Sequence, residues 1–152
     1  MVSFLSKSTE ETMKMGKKLA ALLRKGDIVC LFGELGSGKT TFTKGIAVGL
    51  HIRKEAVNSP TFVLMNEYDG RLPLFHFDLY RLEETPEILS IGYEEFLYGD
   101  GVAVVEWAEK LKRLLPKEFI RVAFSVKKEN ERLIEFSALG ARPKKILLKL
   151  KK

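Results

Sequence analysis

The chain has 152 residues, 45% of them hydrophobic, and carries a formal net charge of +6. This length and this apolar content suit one compact domain with a real core. No apolar run approaches the roughly 20 residues of a membrane-spanning helix, and the first residues, "MVSFLSKSTEE", lack the apolar centre of a secretory signal. The single cysteine, Cys30, cannot form an internal disulfide. We therefore expect a cytoplasmic protein without a membrane span, in which Cys30 is a small core residue.

The excess positive charge lies at one end of the chain. Residues 141–152, "ARPKKILLKLKK", hold six basic residues and no acidic one. Without those six, 20 of the 26 basic residues remain, which equals the 20 acidic residues of the chain. A neutral body argues against a broad nucleic-acid-binding face. The pattern predicts a single domain over residues 1–140 and a basic tail over 141–152. That tail either contacts RNA or an acidic partner, or is a solvated end that keeps the protein soluble.

The first half of the chain predicts alternating helices and strands. Ser8 and Glu11 have the spacing of a capping box, which places a helix over residues 8–24. The apolar "DIVCLF" (27–32) is typical of a strand buried on both faces. A glycine-rich turn and a helix over 39–50 follow. Two further strands, 59–68 and 72–82, flank an Asp-Gly turn and predict a hairpin.

The second half continues with one buried strand and a second hairpin. Thr85 before Pro86 predicts a helix start. "GDGVAVVEW" supplies a turn and a strand over 102–106, and "AEKLKRLL" a short helix closed by Pro116. Alternation around "KENE" predicts an antiparallel hairpin of strands 119–128 and 132–139. Early β-α alternation followed by hairpins predicts an α/β fold with a mixed central sheet flanked by helices on both faces.

The stretch "GELGSGKTT" (33–41) matches the phosphate-binding pattern G-x-x-x-x-G-K-[ST]. Gly36 and Gly38 allow the tight turn that points backbone N–H groups at phosphate oxygens. Lys39 places a charge on the β- and γ-phosphates, and Thr40 offers a hydroxyl to magnesium. A buried strand before the loop and a helix after it are the setting that the motif requires. The sequence therefore predicts a P-loop NTPase-like three-layer fold. The predicted phosphate-binding residues are Gly33, Glu34, Leu35, Gly36, Ser37, Gly38, Lys39, Thr40 and Thr41.

Two acidic residues at strand ends are candidates for the catalytic centre. "VAVVEW" resembles a Walker B strand, with Glu106 in place of the usual Asp. Glu106 either reaches the metal directly, contacts it through water or orients the attacking water; the alternative is a strand-end residue exposed to solvent. In "FHFDLYR" (75–81), Asp78 lies within a run that should be buried, and a buried carboxylate needs a partner. A magnesium ion and a water beside the γ-phosphate would supply one. The sequence leaves open which acid contacts the metal directly.

The choice of nucleotide and reaction follows by elimination. The Asn-Lys-x-Asp element that reads guanine is absent from the sequence, so adenine is favoured. Arginines after residue 106 are too dispersed for the lid of a small-molecule kinase. A small ATPase remains, whose hydrolysis changes its own shape or that of a partner. In "SPTF" (59–62), Thr61 has a hydroxyl where a switch loop would meet the γ-phosphate or its metal. The alternative is a turn followed by the first residue of a strand.

Four motifs, "GELGSGKTT", "SPTF", "HFDLYR" and "VEW", in this order and at these spacings, resemble the TsaE family. These are P-loop ATPases needed in bacteria to make threonylcarbamoyladenosine in tRNAs. The resemblance extends from about residue 8 to residue 136. It implies ATP and Mg²⁺ as cofactors, with Lys39 on phosphate and Thr40 and Glu106 on the metal. Asp78 would lie beside the nucleotide and support hydrolysis, and it is a third candidate metal ligand.

The resemblance also implies roles at the edge of the site. Ser59 and Thr61 would belong to the switch-like segment. Thr9 and Arg132 would border the nucleotide base. Trp107 would lie next to the site, where its ring either senses nucleotide or packs. His76 shares a predicted strand face with Asp78 and is either a general base or a hydrogen-bonded residue that orients its neighbours. We favour the orienting role for His76.

By the same resemblance, the protein is an accessory ATPase, slow alone and stimulated by partners, that does not itself transfer the carbamoyl group. It would act on a complex of two related proteins, TsaB and TsaD, with the transferase site in TsaD. ATP hydrolysis would reset that complex between turnovers. Contact with tRNA would be indirect, or through the basic tail; the sequence leaves this open. The alternatives are an ATP-dependent binding switch with little intrinsic hydrolysis and, more weakly, a small P-loop kinase.

Overall fold

A computed structural model describes residues 1–58, 65–82 and 92–151. Their strands are β1 (Val2–Ser6), β2 (Ile28–Phe32), β3 (Met65–Tyr68), β4 (Leu74–Asp78), β5 (Val102–Glu106), β6 (Phe119–Lys128) and β7 (Glu131–Leu139). Their α-helices are α1 (Thr9–Ala20), α2 (Lys39–Gly49), α3 (Tyr93–Leu97) and α4 (Ala141–Leu150), with short 3₁₀ helices at Lys54–Ala56 and Ala108–Leu114. None of the helices in these ranges is long and apolar enough to cross a membrane.

The strands form one mixed sheet in the order β1-β7-β6-β2-β5-β4-β3. The central pairs β6–β2, β2–β5 and β5–β4 are parallel. The outer pairs β1–β7, β7–β6 and β4–β3 are antiparallel. The sequence predicted this mixed sheet and the β6–β7 hairpin correctly. The β3–β4 pairing confirms the first hairpin over the described residues, and residues 59–64 of its predicted first strand lie outside them. Because the carboxyl ends of β2, β4 and β5 point the same way, the residues that follow these strands meet at one edge.

Alternate residues of the central strands feed two separate cores, one on each face of the sheet. In β2, Val29 and Leu31 join the core under α1 and α2, whereas Ile28 and Cys30 join the core under α3. Helix α4 packs on the α1–α2 side, so the architecture has three layers, as predicted. Cys30 is buried as expected, and its burial raises the pKa of the thiol well above its usual range. The pattern of a strand buried on both faces was therefore a reliable signal.

The capping-box prediction for α1 is confirmed, although the helix ends earlier than expected. The Ser8 side chain accepts a hydrogen bond from the Glu11 N–H at 3.1 Å, and the Glu11 carboxylate accepts one from the Lys7 N–H at 2.6 Å. The last α-helical residue is Ala20, and Gly26 adopts a left-handed φ of 92° just before β2. The predicted helix start at Thr85 lies outside the described residues.

Two elements at the ends of the chain were not predicted. Strand β1 pairs with β7 along its whole length, from Val2 opposite Phe136 to Ser6 opposite Arg132. Residues 141–150, which were predicted to be part of a basic tail beyond the domain, form α4. Its buried face contains Ile146, Leu147 and Leu150. Its lysines masked this helical spacing of apolar residues.

Helices α1 and α2 pack so closely that glycines form their contact. A Cβ added at Gly45 would overlap the backbone carbonyl of Met13, and one added at Gly16 would overlap the backbone of Phe42. Since backbone atoms cannot move aside as a flexible side chain can, we expect Gly45→Ala to destabilise the protein by about 1–3 kcal/mol. Thermal or urea unfolding measures this loss. As a control, Lys44→Ala on the same helix should change stability by less than about 0.5 kcal/mol. Equal stability of the two variants would show that the helices do not pack this closely.

Candidate functional site

The loop between β2 and α2 has the backbone that its glycines were predicted to allow. Gly36 and Gly38 have left-handed φ values of 78° and 105°. The Lys39 ammonium turns back into this loop and donates to the carbonyls of Gly33 and Glu34 at 2.5 and 2.9 Å. Lys39 is only 5% exposed, and this burial lowers the pKa of its amine while nearby carboxylates partly oppose the change. The loop therefore holds a desolvated positive charge at its centre.

Trp107 closes one side of the loop in a strained conformation. It has a left-handed φ of 59°, which is uncommon for a bulky residue and costs of the order of 1 kcal/mol or more. The Lys39 ammonium lies 3.8 Å from the centre of the Trp107 ring. The half-exposed Tyr80 ring packs against the same indole with a centroid distance of 5.0 Å. The strained turn after β5 thus places an aromatic face over the lysine.

Glu106 is the centre of a buried polar cluster. Its carboxylate is 2% exposed and accepts a hydrogen bond from the Thr40 hydroxyl at 2.9 Å. His76 Nε2 contacts the other carboxylate oxygen, and the Thr43 hydroxyl lies 3.4 Å from that oxygen. The alternative of a solvent-exposed strand-end glutamate is therefore wrong. His76 is fully buried directly beneath Glu106, in the orienting position that we favoured for it.

Asp78 ends β4 directly beside Glu106 on β5, because the parallel register pairs these two residues. It is 8% exposed, and its Oδ1 accepts a hydrogen bond from the Tyr80 N–H at 3.0 Å. Phe75 and Phe77, on the other strand face, are buried in the α3-side core. The strand thus anchors itself with aromatic side chains on one face and presents His76 and Asp78 on the face that carries α2.

The opposite wall comes from the start of α1 and from the β6–β7 hairpin. The Arg132 guanidinium donates to the carbonyl of Gly36 at 3.3 Å and to the hairpin carbonyls of Lys128, Glu129 and Glu131 at 3.0–3.2 Å. These bonds join the hairpin turn to the loop between β2 and α2. Thr9 faces the same space from the first turn of α1.

These walls enclose a cleft of about 470 Å³. Twelve residues predicted from the sequence line it: Thr9, Leu35, Gly36, Ser37, Gly38, Lys39, Thr40, Thr41, Asp78, Glu106, Trp107 and Arg132. Gly33 and Glu34 lie behind Lys39, and His76 lies under Glu106, outside the lining. The switch-like residues Ser59 and Thr61 lie outside the described residues.

Several residues of this site were not assigned to it from the sequence. Among the described residues, six more line the cleft: Ser8, Thr12, Tyr80, Arg81, Glu129 and Asn130. Thr43 lies under the lining, one helical turn after Lys39 and Thr40, and its hydroxyl donates to the Lys39 carbonyl at 2.9 Å. Helical spacing from the motif could have found Thr43. The hairpin residues carry no comparable signal, because only the sheet order brings them to the loop.

Comparison with known proteins agrees with this geometry. A family model described as "Threonylcarbamoyl adenosine biosynthesis protein TsaE" matches residues 6–134. The tRNA threonylcarbamoyladenosine biosynthesis protein TsaE of Bacillus subtilis (strain 168) is 46% identical over 134 residues, which cover 88% of this chain and 83% of that protein. The protein of the same name from Treponema pallidum (strain Nichols) is 41% identical over 130 residues, covering 86% of this chain and 96% of its own.

A solved structure shares the fold. The crystal structure of Bacillus subtilis YdiB superposes with a TM-score of 0.83 at 37% sequence identity, covering 98% of this chain and 93% of that one. The family match covers most of the chain, and the motifs that suggested the family lie within it, with the P-loop, "HFDLYR" and "VEW" contributing to one cleft. The chain therefore belongs to the TsaE family, whose curated members are named as tRNA threonylcarbamoyladenosine biosynthesis proteins.

Proposed function

We propose that the cleft binds ATP with Mg²⁺ and hydrolyses it, and that this ATPase serves the synthesis of threonylcarbamoyladenosine in tRNA. One observation carries the proposal. A phosphate-binding loop lies beside two buried strand-end carboxylates, Asp78 and Glu106, and Glu106 is bonded to the threonine of the loop.

The loop fits a polyphosphate. Ser37 Oγ is buried and has no hydrogen-bond partner within the described ranges of the chain, so a phosphate oxygen would satisfy it. The Lys39 ammonium is bonded to backbone carbonyls of the same loop, a position from which it can turn toward phosphate. Phosphate would also restore an opposite charge beside a desolvated lysine.

The neighbouring oxygens fit magnesium. The Thr40 hydroxyl and the Glu106 carboxylate are hard oxygen donors 2.9 Å apart. Across residues 1–58, 65–82 and 92–151, no three His, Cys, Asp or Glu side chains cluster as a metal site. This agrees with Mg²⁺ sites in which one or two protein ligands are completed by substrate phosphates and water. When bound, the ion would neutralise charge on the transferring phosphoryl group.

The chain's own residues divide the remaining work. Lys39 binds phosphate charge. Glu106, held by Thr40 and His76, orients the metal-side oxygens. Asp78 lies next to Glu106 on the neighbouring strand and is the candidate for orienting the attacking water. Trp107 covers the loop and limits the entry of bulk water, which strengthens these electrostatic interactions.

The biological role proposed here is that of an accessory ATPase. Hydrolysis would be slow in the isolated protein and stimulated by the TsaB–TsaD complex, which it would reset between turnovers. We also propose that it works in the cytoplasm. Family membership supports the pathway, and the buried polar cluster supports hydrolysis in preference to binding alone.

Phosphate release from Mg-ATP, measured with and without TsaB and TsaD, tests this role. We expect stimulated hydrolysis. Tight ATP-dependent binding to the partners without turnover would instead favour the binding switch. Transfer of the γ-phosphoryl group to a nucleoside or metabolite would favour a kinase.

His76 should act on hydrolysis through Glu106. We expect His76→Leu to lower kcat at least tenfold with KM for ATP changed less than about threefold, because the carboxylate loses the partner that fixes its orientation. His76→Gln keeps an N–H donor on a flat side chain of similar reach and should recover most of the rate. Steady-state kinetics beside a thermal-unfolding control measure this. If Leu and Gln lower kcat equally, the contact with Glu106 does not matter for the rate.

A further inference from the structure

The exposed side of α4 is a row of lysines. Lys144, Lys145 and Lys149 are exposed on the helix, and the exposed Lys151 follows its last turn. We call these four residues the lysine face. The opposite side of α4 is buried in the core on the α1–α2 side of the sheet. The only large apolar side chain among the exposed residues of α4 is Leu148, which is 66% exposed.

The lysine face is fixed to the domain rather than carried on a loose tail. The Arg142 guanidinium donates to the Asp27 carboxylate and to the Leu22 carbonyl, both at 3.0 Å. The Ala141 N–H donates to the Glu118 carboxylate at 3.2 Å. These contacts and the buried apolar side set the rotation of α4, so the lysines project in a defined direction.

Helix stability accounts for Lys149 in the last turn of α4 but not for the basic residues at the start of the helix. The first turn of α4 has no acidic residue, and basic residues stand where the helix dipole favours acids. Lys145 and Lys149 are four residues apart, a like-charge spacing that costs a few tenths of a kcal/mol. Helix α1 differs at its start, with Glu10 and Glu11 in its first turn, whereas both helices have basic residues in their last turn. The basic residues at the start of α4 therefore interact unfavourably with the helix dipole, and binding of an anionic ligand would explain their position better.

The chemistry of the face favours an RNA backbone over a membrane or a protein. A membrane-binding helix needs a free apolar side, and that of α4 is already packed. Protein interfaces are depleted in lysine and enriched in aromatic residues and arginine. Phosphate oxygens are contacted largely by lysine and arginine, and binding gains from the release of counterions.

We infer that the lysine face binds the phosphate backbone of RNA, and specifically tRNA. The choice of tRNA among RNAs rests on the pathway role proposed above. The argument from charge, which favours an RNA backbone, does not depend on that role. Asp27, which anchors α4, precedes β2, and the phosphate-binding loop follows the other end of that strand. The start of α4 therefore lies at the sheet edge opposite the loop. RNA could contact it without entering the nucleotide cleft.

The test uses the full chain with Lys144→Gln, Lys145→Gln and Lys149→Gln combined. The matched control combines Lys14→Gln, Lys17→Gln and Lys18→Gln, which removes three exposed lysines from α1. Fluorescence anisotropy with a labelled tRNA transcript, over a series of salt concentrations, gives the Kd and its salt dependence. We expect the α4 variant to bind tRNA about tenfold more weakly. The negative slope of log association constant against log salt concentration should become shallower by about two. The control should stay within about twofold of wild type. Replacing the same three α4 lysines by arginine should retain binding.

Other outcomes would overturn the inference. The first is that the wild-type chain does not bind tRNA at low salt. The second is that the α1 control loses as much tRNA affinity as the α4 variant. The third is that the α4 variant binds TsaB–TsaD more weakly while its tRNA affinity is unchanged. Nucleotide hydrolysis by the same variants separates this inference from the proposed function. Lysine-dependent tRNA binding without ATPase activity would contradict only the function. Normal ATPase activity with tRNA binding independent of these lysines would contradict only the inference.

Discussion

Lys39→Ala should abolish measurable ATP binding, raising the Kd at least 100-fold. The Lys39 ammonium donates to the Gly33 and Glu34 carbonyls of the loop between β2 and α2, and the residue is almost completely buried there. Alanine would leave the backbone N–H groups of the loop but remove the positive charge that would bind the β- and γ-phosphates. Isothermal titration with Mg-ATP measures the loss.

Lys44→Ala provides the matched control on the same helix, because Lys44 does not line the cleft. Its Kd for ATP should remain within about twofold of wild type. If Lys39→Ala binds ATP as tightly as Lys44→Ala, the cleft described here is not the nucleotide site.

Glu106→Gln should separate binding from hydrolysis. The glutamine amide keeps the shape of the side chain but loses the negative charge of the carboxylate, which accepts a hydrogen bond from the Thr40 hydroxyl. We expect kcat to fall about 100-fold or more, with the Kd for ATP changed less than about fivefold. Single-turnover phosphate release and nucleotide titration on the same preparation measure the two quantities.

Glu109→Gln is the control for charge, since Glu109 lies close enough to raise the pKa of Lys39 yet is exposed and does not line the cleft. Its hydrolysis rate should stay within about threefold of wild type. Comparable losses in both variants would mean that overall negative charge, and not the buried position of Glu106, supports catalysis.

Local patterns in the sequence identified the central part of the site. The motif spacing predicts that Gly36, Gly38, Lys39 and Thr40 lie together, and they line one cleft because the loop is one continuous segment between a strand and a helix. Glu106 was singled out because it ends an apolar strand, and Asp78 because a carboxylate within an apolar run needs a partner; the structure ends β4 at Asp78. That these acids lie side by side depends on the parallel register of β4 and β5, which no single segment encodes.

The parts that were missed depend on pairings distant in the chain. β1 is a short strand whose pairing partner, β7, lies more than 120 residues later in the chain. Residues 141–152 were predicted to be a basic tail, either in contact with a ligand or solvated, because lysines dominate their composition. The helical spacing of Ile146, Leu147 and Leu150, which are buried in α4, was missed. Arg132 was assigned to the base by resemblance, and the structure adds its bonds to Gly36 and the hairpin turn.

The position of His76 shows how structure narrows a choice that sequence left open. The residue type allowed either a general base or an orienting partner. Full burial beneath Glu106, with Nε2 on the carboxylate and no place in the cleft lining, supports the orienting role. A general base that takes a proton from the attacking water would need access to the cleft.

The central claim is that this cleft hydrolyses ATP and that Asp78 contributes to the reaction. Phosphate release by wild type and Asp78→Ala, in the presence of TsaB, TsaD and Mg²⁺, tests it most directly, with Lys39→Ala as the blank. We expect magnesium-dependent release from wild type and a loss of most of it in Asp78→Ala, while ATP binding is largely retained. Release at the wild-type rate from Asp78→Ala, or release from wild type no faster than the Lys39→Ala blank, would contradict the account.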